Sequence, residues 1–376
     1  MPIKIMMIAG EASGDLHGGE LVKALRRLEP TLEIFGVGGD SMKNAGMEQF
    51  YHIKQLAYIG FWEVAKHYGF FRSVFHRLVE EYEQRRPDIL VLIDYPGFNL
   101  KFAQEIKKRG GRVFYYIAPQ VWAWGRGRAK KMAKFIDHLA VLFDFEVSFF
   151  AEHGLPTTFV GHPLLDGLQT RYTRQEFCSE LHIKPDVPLL ALLPGSRIQE
   201  INSLLPTMLA AALGVKRNHP ELEIVVSKAA SIQAELIKAI VLETPGIHIV
   251  ENRTYDLMKH ATAALVASGT ATLETACFAT PFAIAYHVSP LSYAIGKRVV
   301  KIPHIGLANI VAGEQVAREF IQHDLTPDKV IPELENLLFD NAYRTDKITR
   351  LNKVKAKLGE PGSSEKTARL ILQQLV

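Results

Sequence analysis

The chain has 376 residues, of which 48% are hydrophobic, and a formal net charge of +4. That length supports a large buried core and about two domains, while so mild a charge excludes nucleic-acid binding driven by the whole-chain field, so any anion must be met locally. Its two cysteines, Cys178 and Cys277, offer neither a metal-ligand spacing nor a disulfide framework, which fits a reducing cytosol.

In chain order, Met1–Ala9 reads as a short strand rather than a secretory leader, because it lacks a charged start and a long apolar run. No window is expected to reach transmembrane length, so a soluble or peripheral protein is expected. Apolar runs at Ile3–Ala9, Leu32–Val37, Ile89–Ile93, Arg112–Ile117 and His138–Phe143 predict buried strands. The patterns at Leu16–Leu28, Leu100–Arg109 and Gly127–Phe135 predict helices between them. Such alternation builds a parallel sheet. It restarts after the polar stretch 169–179, with strands expected at Leu189–Leu193, Leu222–Ser227, Ile247–Val250, Ala261–Val266 and Pro281–His287. The expectation is therefore an α/β protein with one domain over 1–168, a second over 169–344, and a tail over 345–376. The last helix, Glu365–Leu375, has one apolar face, to pack on the first domain or on a second subunit.

Ligands of open α/β sheets bind outside the carboxyl ends of the strands, so the residues there come first. Gly10-Glu11-Ala12-Ser13-Gly14-Asp15 follows the first strand but fits neither a dinucleotide fingerprint nor a Walker loop, which weighs against NAD and ATP. Ser13, Gly14 and Asp15 are candidates for holding an acidic or hydroxylated ligand; a helix start that needs small residues is an equal reading. Asp94 follows the run Ile89–Ile93 and, partly desolvated there, is the candidate general base, with a turn cap before Pro96 as the alternative. Asp144 and Glu146 are spaced like a metal-binding D-x-D pair but read better as acids at a helix start, so no metal site is expected.

In the second domain, Ser196 and Arg197 stand at the end of a predicted strand, where the guanidinium suits a diphosphate; a surface ion pair is the alternative. Ser268, Gly269 and Thr270 separate an apolar run from a helical segment. The helix opening suits a phosphate, Gly269 lets it approach, and Glu274, a turn later, suits ribose hydroxyls. An ordinary capped turn is the competing reading.

Two stretches suggest a bulky apolar and anionic partner. Between Tyr58 and Tyr82, Phe61, Trp62 and Phe70 fall off the helical stripe, near Lys66 and Arg72. Trp122 and Trp124 run into Arg126, Arg128, Lys130, Lys131 and Lys134, a join of indoles and cations that suits a membrane interface. Single-stranded nucleic acid uses similar chemistry, and a solvated basic helix is the plainer reading.

Glu11-Ala12-Ser13-Gly14-Asp15, Ile93 to Asn99, Pro119 to Trp124, Gly161-His162-Pro163, Leu193 to Arg197, Ser268 to Glu274, and Asn309 with Ala312-Gly313-Glu314 stand in an order that resembles the lipid A disaccharide synthase family. The resemblance implies a GT-B fold, two Rossmann-like domains with parallel sheets facing a central cleft. It implies an inverting transfer of 2,3-diacylglucosamine from its UDP derivative to 2,3-diacylglucosamine 1-phosphate, giving a β-1,6-linked disaccharide and UDP without a cofactor. Arg197, Ser268, Gly269, Thr270 and Glu274 would hold UDP, with Asn309 and Gln315 near the donor. Relatives often carry Asp where this chain has Gly97, which leaves Asp94 as the local carboxylate. The expected setting is cytoplasmic, on the inner face of the inner membrane of a Gram-negative-type bacterium, without nucleic acid, and with homodimer formation through the last helix as an option. A UDP-sugar 2-epimerase of the same fold and a non-catalytic membrane or nucleic-acid binding protein are the alternatives.

Overall fold

Continuous aliphatic runs make strands buried on both faces, which is what a parallel sheet covered by helices requires. The computed structural model describes residues 2–57, 68–241, 247–289, 293 and 302–375. The chain divides into two units, Met1–Asp166 with Leu358–Val376, and Gly167–Lys357.

Unit 1 holds β1 (Lys4–Ala9), β2 (Glu33–Gly38), β3 (Glu48–His52), β4 (Ile89–Ile93), β5 (Val113–Tyr116), β6 (His138–Val141) and β7 (Thr157–Phe159). They form one parallel sheet in the order β3-β2-β1-β4-β5-β6-β7. Unit 2 holds β8 (Leu189–Leu193), β9 (Glu223–Lys228), β10 (Ile247–Glu251), β11 (Ala263–Ala267), β12 (Phe282–Tyr286) and β13 (Glu319–Ile321). These are also parallel, in the order β10-β9-β8-β11-β12-β13. Both are Rossmann-like sheets whose order reverses once, between β1 and β4 and between β8 and β11. Such reversals open crevices at the carboxyl ends of the strands.

The strands the sequence did not signal, β3, β7 and β13, all stand at sheet edges. β3 (Glu-Gln-Phe-Tyr-His) carries no apolar run, and β7 and β13 are each 3 residues long. An edge strand is covered less, so burial writes less of it into the sequence.

The helix Ile198–Asn218 corrects one expectation: over 21 residues it is long and apolar enough to cross a membrane. Its apolar side, including Ile201, Leu205, Met208 and Val215, is buried in the core of unit 2 with Leu190, Ile224 and Leu265, so it is a core helix here.

The expected boundaries also shift. Helix Asn341–Lys357, divided in the sequence reading between second domain and tail, belongs wholly to unit 2, against helices Thr270–Cys277, Leu307–Ala312 and Pro327–Phe339. The last helix, Ser363–Gln373, lies on Ala12–Leu28 of unit 1, burying Thr367, Ala368 and Ile371. Gly362 N donates to Asp166 Oδ1 at 2.7 Å, and His162 N to Leu358 O at 2.9 Å. Gly161 has φ +87°, and a Cβ there would stand 2.9 Å from Glu360 O. The Gly-His-Pro motif is thus where the returning tail docks, and the apolar face of the last helix is filled by its own chain.

Candidate active site

In unit 2 the loops after β8 and β11 leave neighbouring strands on one edge, as their sequence positions predict. Together with the end of β9 and the helix Thr254–His260 they border a cavity of about 410 Å³. Its walls are Leu193–Arg197, Ser268–Ala271 and Glu274, with Ser227, Ala229, Thr254 and Met258. Gly269 precedes the helix Thr270–Cys277 with φ +156°, and nothing lies within 4 Å of where its Cβ would stand. A bare backbone at a helix opening is the arrangement an anion needs, since no side chain blocks the N–H groups and the positive end of the dipole.

Glu274 accepts a hydrogen bond from Tyr255 Oη at 3.0 Å. Burial pushes its carboxyl above the usual range, against the lowering effect of that hydroxyl. A partly dry carboxylate with acceptor capacity facing the cavity fits ribose hydroxyls. Tyr255 was not legible in the sequence, because it meets Glu274 from another helix.

Arg197 is 81% exposed and pairs with Glu200, Nη1 to Oε1 at 3.0 Å. Glu200 Oε2 also accepts from Ser196 N at 2.9 Å and Arg197 N at 3.2 Å. The surface ion pair is therefore present, and the backbone N–H groups of Ser196 and Arg197 are already met by Glu200, three residues into the helix. That correction was available from the sequence as a carboxylate at the capping-box position. The guanidinium stands at the cavity rim on a long, exposed side chain, so reaching a diphosphate would require it to leave Glu200.

A second cavity of about 730 Å³ shares Arg197, Glu200, Ala267 and Ser268, and extends to Tyr286, His287, Val288 and Ile305. Asn309 does not present its amide to either cavity. It is fully buried, donating to Ala317 O at 2.7 Å and Glu319 Oε1 at 2.8 Å and accepting from Ala317 N at 2.9 Å. Glu319 in turn holds Ile305 N and Gly306 N, so Asn309 shapes the wall of the second cavity from behind. Gln315 is exposed and lines neither cavity.

In unit 1, Asp94 stands at the carboxyl end of β4, beside the point where the strand order reverses. Burial raises its carboxyl above the usual range, and the Glu11 charge adds to this, opposed by a backbone hydrogen bond from Tyr95. Asp94 and Tyr95 have φ +45° and +49°, both left-handed. For non-glycine residues this costs roughly 1–2 kcal/mol each, and such strain persists only where surrounding contacts hold it. Asp94 N donates to Tyr116 O at 3.0 Å, and its carbonyl accepts from Tyr115 Oη and Asn99 Nδ2. A strained, half-buried carboxylate at a sheet crevice is suited to general-base work.

Other sequence candidates in unit 1 are corrected. Asp15 is 5% exposed, and its carboxylate accepts from Gly39 N, Ser41 N and Met42 N at 2.6, 3.0 and 3.0 Å, so it anchors the turn after β2. Gly14 is packed under Ala9 and Ile93, leaving Ser13 as the exposed member of that trio. Trp122 is buried, its Nε1 donating to Glu146 Oε1 at 3.0 Å, because an indole inside the fold needs an acceptor for its N–H. Glu146 also accepts from Phe143 N at 3.1 Å in a helix-start box, and burial raises it to about 7. It is a structural acid, as its place in the sequence indicated. Trp124 stays exposed with the Arg128 guanidinium 4.3 Å over its ring, and Arg126, Lys130, Lys131 and Lys134 are exposed beside it. Phe70 is 38% exposed, whereas Phe61 and Trp62 lie outside the described residues.

Residues 5–373 match the Lipid-A-disaccharide synthetase family. The Lipid-A-disaccharide synthase of Geobacter sulfurreducens is 40% identical over 373 residues, 99% of this chain and 97% of that protein. Among solved structures, the glycotransferase of kitacinnamycin superposes with TM-score 0.66 at 15% identity, covering 100% of both chains. The UDP-GlcNAc 2-epimerase of Neisseria meningitidis bound to UDP-GlcNAc gives 0.59 at 10%, covering 99% of each. The solved structures establish the fold, which is GT-B, and that fold serves both transferases and epimerases. The family match over nearly the whole chain separates the two: this chain belongs to the lipid-A-disaccharide synthase family and is a glycosyltransferase.

Proposed function

We propose that the protein transfers 2,3-diacylglucosamine from its UDP derivative to the sugar hydroxyl of 2,3-diacylglucosamine 1-phosphate, with inversion at the anomeric carbon. The observation that carries this reading is the convergence at the 410 Å³ cavity of an open helix start at Gly269, the Glu274 carboxylate, suited to ribose hydroxyls, and the exposed Arg197 guanidinium. The UDP-GlcNAc bound to the epimerase of like fold supports a UDP-sugar there.

In the proposed reaction the acceptor oxygen attacks the anomeric carbon from the side opposite UDP. Asp94 removes the hydroxyl proton as the new bond forms. The bonding pair of the breaking C–O bond departs with the β-phosphate, whose added charge is offset by Arg197 and the helix start. These groups supply the positive charge, so chelators should leave turnover unchanged; a rate restored by Mg²⁺ or Mn²⁺ would overturn that part. The substrates are lipids, and extracting acyl chains into water costs about 0.8 kcal/mol per methylene, so the enzyme goes to the membrane. Trp124 with Arg126, Arg128, Lys130 and Lys131 is the proposed contact, on the inner face of a cytoplasmic membrane.

The test is release of UDP from UDP-diacylglucosamine with and without the acceptor, with the products weighed. A disaccharide formed only with the acceptor is expected. UDP release without disaccharide, or an isomerised UDP-sugar, would favour the epimerase reading.

A further inference from the structure

We propose that Tyr115, with Asn99 beside it, is a positioning residue for the base: the two side chains pin the Asp94 carbonyl and thereby fix where the carboxylate points. The inference rests on the reading of Asp94 as the base.

Tyr115 lies on β5 with no exposed surface, and packing alone would be served by phenylalanine. Its hydroxyl instead donates to Asp94 O at 2.6 Å. Asn99, also fully buried, donates through Nδ2 to the same carbonyl at 2.8 Å and to Ile93 O at 3.2 Å. This orientation leaves Asn99 Oδ1 buried without a hydrogen-bond partner, an unfavourable arrangement that persists alongside the donation to the turn. β5 thus grips Asp94 at both ends of its main chain, since Asp94 N donates to Tyr116 O. A third restraint comes from the residue after β1: a Cβ on Gly10 would stand 2.1 Å from Tyr95 Cδ1, so the left-handed Tyr95 lays its ring across a residue that must be bare.

Without these restraints the two left-handed residues would relax toward extended backbone, turning the peptide between them and swinging the carboxylate. The charged and titratable groups facing Asp94 are Glu11 at the start of the first helix and Tyr115 on β5. A relaxed Asp94 regains water, so its carboxyl falls toward the ordinary range.

The experiment is Tyr115→Phe in the full chain. Turnover should fall by about tenfold to a hundredfold, the loss expected from a misplaced reacting group. UDP affinity should stay parental, and the acid limb of kcat/KM should move to lower pH. A purely structural hydroxyl would lower Tm and leave that limb in place. In the Asp94→Asn background, Tyr115→Phe should add no further loss. Gly10→Ala, which drives a methyl into the Tyr95 ring, should reproduce the turnover loss and limb shift, and it stands in if Tyr115→Phe does not fold. Parental turnover with a parental acid limb overturns the inference. An inactive Asp94→Asn beside a parental Tyr115→Phe removes the positioning role and keeps the base, whereas a fully active Asp94→Asn removes the base itself.

Discussion

The crevices at the strand reversals of the two units occupy the same place in the same topology and are built in opposite ways. At β11 the chain strips itself: Gly269 takes positive φ and faces open space, while after β8 the Glu200 carboxylate fills the space beside Gly195 and the cation at the rim is mostly solvated. At β1 and β4 it does the reverse, forcing Asp94 and Tyr95 into the left-handed region and holding them with buried donors. The proposed chemistry would account for the difference. An anion is bound by backbone N–H groups, so side chains must be absent; a proton is removed by one carboxylate, which must be present, aimed and partly dry.

The comparison breaks most decisively at Asp94. Asp94→Asn should cut turnover by about 10²- to 10⁴-fold while UDP binding stays parental, and rapid-quench assays beside UDP titration check both halves. Near-normal turnover would leave the strained turn without a catalytic reason. Because burial and Glu11 raise the Asp94 carboxyl, the base is ionised only above that raised value. Turnover in the parent should therefore fall on acidification sooner than an ordinary aspartate would dictate.

A buried acid with no chemistry sharpens the contrast. Glu146 is raised from 4.5 to about 7 by burial. A carboxyl raised in the folded state adds stability that is full below its unfolded pKa and is lost as pH rises through its folded one. Across pH 4.5 to 7 this group should remove up to about 3 kcal/mol of stability. Urea midpoints of Glu146→Gln should show a shallower pH dependence than the parent, with turnover little changed; an identical dependence would deny the shift.

In unit 2, Glu274→Ala and Arg197→Ala should each weaken UDP binding by roughly 1.5–3 kcal/mol, the worth of a hydrogen bond to a charged group. Turnover at saturating donor should suffer more from the arginine, whose proposed role is on the leaving group. Since burial raises the Glu274 carboxyl, UDP affinity should decline on acidification in the parent and lose that decline in Glu274→Ala. Titrations in which both variants match the parent would move the donor elsewhere. The smallest effect belongs to the surface: each well-placed cation near an anionic bilayer is worth about 1 kcal/mol. Trp124→Ser with Arg128→Ser should reduce sedimentation with anionic vesicles at low salt, and Trp122→Phe should not, its ring being buried. Equal sedimentation of the parent and the double variant would remove this patch from the contact.

Central strands were legible because parallel sheets buried on both faces demand uninterrupted aliphatic runs, and Ile89–Ile93 and Leu189–Leu193 match their strands residue for residue. The place of Asp94, Arg197 and Gly269 followed from the same rule, since a residue ending such a run stands at a carboxyl edge. What the sequence could not set was the partner of each side chain. Asp15 and Asn309 look like ligand residues from their motifs, yet tertiary contacts with the turn after β2 and with Ala317 and Glu319 consume their polar atoms. Trp122 and Trp124 are two residues apart in one motif, and only the arrival of Glu146 decided which is inside. Local pattern determines which face and which end of an element a residue occupies; hydrogen bonds between segments distant in the chain determine whether it remains free to act, because a buried polar atom must find its partner wherever the fold brings one.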